Sequence, residues 1–199
     1  RQATSRKKLI EKLTPLYLRA FLKHCHFVFA PTQGMKDYLV EVCKLYPERI
    51  GILPTGIEDA NFQGQEEETA KIREQYQSQN MPLLITVSRM AQEKNVEFLL
   101  KSLALFKRRW GKPFRMLMIG DGPDRETYER TAADLGLAEE IRFTGKIPNQ
   151  EIAPYFAAAD GFLFASKTET QGIVILEAFA GKTPVIAVEA SGVKDIVKS

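Results

Sequence analysis

The chain has 199 residues, of which 44% are hydrophobic, and its 28 Lys and Arg outweigh 25 Asp and Glu to give a net charge of +3. That length holds one full domain and part of another. The charge is too mild to imply a nucleic-acid partner, and no apolar run approaches the ~18 residues of a membrane-spanning helix. Two cysteines, Cys25 and Cys43, make no disulfide framework and fit a reducing, cytoplasmic compartment.

The chain starts at Arg1 without Met or a signal peptide, so an earlier segment is expected before it. Its first stretch sets Arg1, Arg6, Lys7, Lys8, Lys12, Arg19 and Lys23 against Glu11 alone. Leu9, Leu13, Leu16, Leu18, Phe21 and Leu22 supply an apolar stripe, interrupted at Pro15. A basic amphipathic helix of this kind can make a peripheral contact with the inner face of an anionic membrane. Most such stripes instead pack on their own domain, which is the expectation here. His24 and His26 would share one face of a strand, but the chain has no other histidine, so a closed zinc site lacks ligands and no metal is expected. Phe27–Ala30 reads as a strand, Thr32 as the cap of a helix reaching about Leu45, and Ile50–Leu53 as the next strand.

Pro54-Thr55-Gly56-Ile57-Glu58 breaks the pattern, and Glu66-Glu67-Glu68 opens a polar helix to about Ser78. Pro and Gly there can simply turn the chain within one small α/β domain. From Met81 the alternation is regular. Strands are expected at Leu83–Val87, Arg115–Ile119, Ile141–Thr144, Gly161–Ala165 and Pro184–Val188. Helices are expected at about Val96–Arg109, Arg125–Leu135, Gln150–Ala158 and Gly172–Ala180, with a last one beginning near Val193. Strand, helix, strand at this spacing predicts an α/β fold, a doubly wound parallel sheet with ligands at the strands' carboxyl ends.

Three loops at those ends carry candidate chemistry. Arg89 and Lys94 follow the first strand and precede a helix, where cations and free N–H groups can neutralise a diphosphate; beside Glu93 they could equally form a solvated surface cluster. Gly120-Asp121-Gly122-Pro123 invites a dinucleotide reading and fails it, since Arg125 stands where a third glycine belongs and the loop follows the second strand of the unit. Its glycines are expected to permit a tight turn with positive φ near the ligand. The stretch from Gly161 to Val188 is a strand-helix-strand unit with Glu169 in its loop and Glu177 in the middle of a helix apolar almost all round, expected to be buried. A carboxylate there needs a partner, because an unpaired buried charge costs several kcal/mol or more.

Thr168-Glu169-Thr170-Gln171-Gly172-Ile173 and the residues that follow resemble the signature of retaining glycosyltransferases of family 4, with the GT-B fold and two acids separated by seven residues. The resemblance implies that residues 81–199 are a Rossmann-like donor-binding half, that residues 1–57 are the tail of a second α/β, acceptor-side domain closed by the Pro54-Thr55-Gly56 segment, and that 58–80 link the two. It assigns Glu169 to the transferred sugar and Glu177 to the ribose of the nucleotide. The backbone at Gln171, Gly172 and Ile173 would touch sugar and phosphate, and Arg89 and Lys94 would hold the diphosphate. Gly120 belongs to a Gly-Asp-Gly-Pro turn that the family shares, and Gly145, Lys146 and Ile147 match the loop that reads the base. The implied substrate is a nucleotide-diphosphate sugar, with no further cofactor and no divalent ion. Gln171, where Phe is usual, is similar to members that glycosylate lipids such as diacylglycerol, so the acceptor is expected to be a lipid or a glycan. Without its partner domain the chain should bind and not transfer, and a non-catalytic nucleotide-sugar-binding module is the competing reading.

Overall fold

The computed structural model describes residues 2–76, 81–190, 192–194 and 196–197. The chain divides into two compact units, Arg1–Thr55 and Gly56–Val197.

In the first unit, α1 (Gln2–Leu22) runs through Pro15, β1 is Val28–Ala30, α2 is Gln33–Glu41 and β2 is Ile50–Ile52. Thr32 caps α2 by accepting a hydrogen bond from the Met35 amide at 3.2 Å, which satisfies one of the donors that a helix start leaves open. The helix stops at Glu41, short of the expected Leu45, because the chain turns through Lys44 at φ 57°. β1 and β2 pair in parallel, Val28 opposite Ile50, over a small core of Ala30, Leu39, Cys43, Leu45 and Ile50. Two expectations fail here. His24 and His26 lie in the turn before β1 and not on a strand. Among the described side chains of α1, only Leu18 and Leu22 of the stripe pack on this core, while Ile10, Leu13, Leu16, Tyr17 and Phe21 stay more than half exposed. Periodicity records which face is apolar and is silent on whether anything meets it.

The second unit opens with a short turn at Asp59–Phe62 and α3 (Glu66–Tyr76), whose expected end at Ser78 lies outside the described residues. Five parallel strands follow: β3 (Leu83–Val87), β4 (Arg115–Ile119), β5 (Ile141–Gly145), β6 (Gly161–Phe164) and β7 (Val185–Ala187). They stand in the order β5-β4-β3-β6-β7. Between them come α4 (Val96–Trp110), α5 (Arg125–Asp134), α6 (Ala153–Ala158) and α7 (Ile173–Ala180). α6 is shorter than expected because Pro154 fits a first helical turn and not a helix interior, so residues 149–151 form a separate turn. The described residues from Val193 onward make turns.

Side chains alternate across the sheet. Leu83, Ile85, Leu117, Ile119, Phe162 and Phe164 face a core with Ile72, Phe156, Ile175 and Ala178 of α3, α6 and α7. Met116 and Met118 face the other way, onto Leu99, Leu100, Leu103, Tyr128 and Ala132 of α4 and α5. Covering both faces is what lets a parallel sheet read as continuous apolar runs. α7 is not buried all round as expected: Ile173 is 39% and Phe179 45% exposed, and only Ile175 and Ala178 are fully covered.

Candidate functional site

The strand order reverses direction at the border of β3 and β6. The chain builds outward from β3 through β4 to β5, then returns to lay β6 and β7 on the opposite side. Loops leaving the carboxyl ends of two such strands diverge and open a crevice, the usual ligand site of open α/β sheets.

The loop after β3 ends in a turn at Gln92–Lys94, followed by Asn95 in the left-handed region at φ 57°. Asn tolerates this conformation better than other non-glycine residues. Its side-chain amide donates to the Ala165 carbonyl at 3.1 Å, and the Lys167 amide donates to the Glu93 carbonyl at 3.3 Å, so the loops after β3 and β6 are stitched together. Alongside these bonds the Lys94 ammonium donates to Glu169 Oε1 at 2.7 Å, with side chains only 21% and 14% exposed. Arg89 instead pairs with Glu93 at the surface, holding that carboxyl below the usual carboxylate range.

A cleft of about 430 Å³ opens at the carboxyl ends of β3 and β4, lined by Arg89, Gly120, Lys146, Ile147 and Glu177, with Ser88 and Asp121 among its other walls; neither Lys94 nor Glu169 lines it. Glu177 is half-buried, burial pushes its carboxyl above the ordinary 4.5, and among the described residues nothing donates to it. The partner that such a carboxylate was expected to need is therefore not supplied by the described protein. An acid held in this state inside a cleft makes the cleft a candidate functional site.

Glycines let the loops approach. Gly120 sits at φ 131° with its backbone bonded to Gly145 (N to O, 2.8 Å), and a Cβ there would come within 1.9 Å of the Ser88 carbonyl oxygen. Gly122 has no positive φ, contrary to expectation; its smallness serves contact with the Met90 backbone, which a Cβ would approach to 2.4 Å. Gly145 (φ 79°) ends β5 at the head of the Lys146–Ile147 loop. Gly172 (φ 73°) precedes α7, and Gln171 is buried beside it.

Of the residues singled out by sequence, Arg89, Gly120, Lys146, Ile147 and Glu177 share the cleft wall, and Lys94 and Glu169 pair with each other. Gly145, Gln171, Gly172 and Ile173 are not among the cleft's lining residues. Sequence reasoning missed Ser88, Asp121 and Asn149 on the wall, and Asn95 as the tie between loops. The juxtaposition of Asn with Lys94 just after a strand was the available signal for the last of these.

A doubly wound parallel sheet with cations and a half-buried acid at its switch point defines an α/β domain built to take a ligand at the strands' carboxyl ends. The family model described as Glycosyl transferases group 1 matches residues 68–199, and the chain belongs to that family. It is 33% identical over 174 residues to an alpha-monoglucosyldiacylglycerol synthase of Streptococcus pneumoniae, covering 85% of this chain and 39% of that protein. It is 34% identical over 152 residues to a GDP-mannose-dependent alpha-(1-6)-phosphatidylinositol monomannoside mannosyltransferase of Mycolicibacterium smegmatis, covering 73% and 40%. The chain thus spans about two-fifths of the length of these curated relatives. Among solved structures, Anabaena HepE in complex with UDP and glucose superposes with a TM-score of 0.84 at 20% identity, over 94% of this chain and 51% of that one. Sucrose-phosphate synthase of Thermosynechococcus elongatus gives 0.79 at 23% identity, over 90% and 45%. The fold is the GT-B fold of these glycosyltransferases.

Proposed function

We propose that the Gly56–Val197 unit is the donor half of a retaining glycosyltransferase and binds a nucleotide-diphosphate sugar in the cleft at the strands' carboxyl ends. The observation that carries this reading is the convergence of Arg89, Lys146 and Glu177 on one cleft, with the part-buried Lys94–Glu169 pair formed by loops at the same end of the sheet. Transfer builds negative charge on the departing diphosphate and positive character on the sugar ring, so cations are needed at one end and a carboxylate at the other. Arg89 and Lys94 take the first role and Glu169 the second, with the 2.7 Å Lys94–Glu169 bond exchanged for contacts to the donor when it binds. Glu177, unpaired in the described protein, accepts from the ribose hydroxyls. The cations meet the charge of the leaving group, and the reaction is proposed to run with no cofactor and no divalent ion.

The acceptor is proposed to be a lipid. The Streptococcus pneumoniae and Mycolicibacterium smegmatis relatives carry glycolipids in their names, and α1 leaves Leu13, Leu16, Tyr17 and Phe21 exposed for a peripheral membrane contact. No described helix is long and apolar enough to cross a membrane. Residues Arg1–Thr55 are proposed to belong to the acceptor side, so that transfer requires the whole protein.

Calorimetric titration of the 199-residue chain with UDP and GDP tests the donor site, and sugar transfer to diacylglycerol-type acceptors by the whole protein tests the activity. Weak binding of one nucleoside diphosphate is expected. Failure of both to bind at millimolar concentration would remove the donor assignment, and an inverted anomeric product would remove retention.

A further inference from the structure

The Arg1–Thr55 unit contains a second cavity, of about 190 Å³, that the transfer chemistry does not use. Leu22, Val28, Leu45 and Ile50 line it as apolar walls, and Arg19, Lys23, Lys44 and Arg49 line it as cations. No carboxylate lines it. Among the described residues none of these four side chains has an ion pair or a side-chain hydrogen bond. Four like charges around one cavity repel one another, and such a concave cationic surface raises the local concentration of anions.

Ordinary structural roles account for part of the cluster only. Arg19 and Lys23 sit at the carboxyl end of α1, where cations complement the helix dipole. Arg49 lies over the Tyr46 ring, 5.8 Å from its centroid, which fixes its direction. Lys44 has neither explanation. It occupies the left-handed region at φ 57°, a conformation that favours glycine or asparagine, and it brings a long cationic side chain to the cavity from that position.

We propose that this cavity is an anion site for a phosphate group, with Arg19, Lys23, Lys44 and Arg49 as its donors and the apolar walls seating the carbon atoms that the phosphate carries. Arginine and lysine together suit such a group: guanidinium offers paired donors to phosphate oxygens and ammonium a mobile point charge. The phosphate can belong to a soluble phosphoester or to a lipid headgroup, and the experiment separates the two.

The test uses the 199-residue chain carrying Arg89→Glu, Lys94→Met and Lys146→Glu, so that the donor cleft's anion binding is suppressed. It is titrated calorimetrically with inorganic pyrophosphate and with glycerol phosphate, and sedimented with phosphatidylglycerol or phosphatidylcholine vesicles. Lys44→Gly and Arg49→Gln are then added. Lys44→Gly suits the existing backbone and removes one of four repelling charges, so its melting temperature at low salt should hold or rise, which separates loss of binding from loss of fold. A tenfold or greater loss of pyrophosphate or glycerol phosphate affinity identifies a soluble phosphoester site. A matching loss confined to phosphatidylglycerol vesicles identifies a headgroup site. Unchanged binding of both classes by the Lys44→Gly and Arg49→Gln chain, or absence of binding to either before those changes, overturns the proposal.

Discussion

Lys94 and Glu169 stand 75 residues apart in sequence and 2.7 Å apart in space, joined because β3 and β6 are neighbours in the sheet. The pair is largely shielded from water, and removing one member of a shielded pair leaves a stranded charge. Glu169→Gln alone should therefore destabilise the chain by about 1–3 kcal/mol, below the full cost of breaking a wholly buried pair. Lys94→Met with Glu169→Gln should cost less than the two single changes added together. Urea unfolding of the four chains measures this, and additive effects would mean that the contact carries no coupling.

A different dissection follows for catalysis in the whole protein. Glu169→Gln should lower kcat roughly tenfold to a hundredfold with little loss of nucleotide affinity, while Glu177→Gln should mainly raise KM. Nucleoside diphosphate binding abolished by Glu169→Gln and untouched by Glu177→Gln would exchange their roles.

The raised carboxyl of Glu177 has a pH signature. Its folded form holds the proton to higher pH than the unfolded chain, so its stabilising contribution is full below the ordinary 4.5, declines as pH climbs through the raised value, and is flat above it. Glu177→Gln removes that decline. The melting temperatures of the two chains should coincide in acid and separate toward neutral pH, with the Gln variant higher. Parallel curves from acid to neutral pH would contradict the burial of the acid.

Gly120→Ala places a Cβ against the Ser88 carbonyl and forces an alanine to φ 131°. A backbone conformation of that kind costs about 1–3 kcal/mol before the clash is counted. The variant should unfold at markedly lower urea and bind nucleotide poorly, whereas Gly136→Ala, strained at φ 71° but with open space for its Cβ, should lose only the conformational part.

Asn95 offers a cleaner separation of backbone from side chain. Asn95→Gly keeps the left-handed conformation and loses the bond to Ala165; Asn95→Ala loses both, at a further cost of about 1–2 kcal/mol. If the stitch orients Lys94, both variants should weaken pyrophosphate binding at the donor cleft alike, despite their unequal stability. Affinity that follows stability instead would reduce Asn95 to a structural cap.

The strands of the second unit were legible because each is a short apolar run closed by turn residues: β3 and β4 fall where the sequence puts them, and β5 and β6 differ by one residue. Loop positions followed from strand ends, which is how Arg89, Lys94 and Glu169 could be assigned to one end of the sheet, while Lys146 and Glu177 were pointed to by the family resemblance. Which loop residues touch was not legible. Arg89 turning to Glu93 and Lys94 to Glu169 depends on local turn geometry and on strand order, neither of which a single sequence states. Nor could the apolar circumference of α7 or the stripe of α1 say what covers them, since hydrophobic pattern describes one surface and burial needs two.

The amide of Ser88 reaches the Ile119 carbonyl at 3.0 Å, that of Met90 the Asp121 carbonyl at 2.9 Å, and that of Gly120 the Gly145 carbonyl at 2.8 Å. Three successive loops are thereby riveted by backbone bonds, while Arg89 and Lys146 hang from them by their side chains. A guest arriving on such a floor has little backbone disorder to suppress. Side chains that leave the glycine contacts untouched can then be exchanged one at a time without the barrel of the lock being recut.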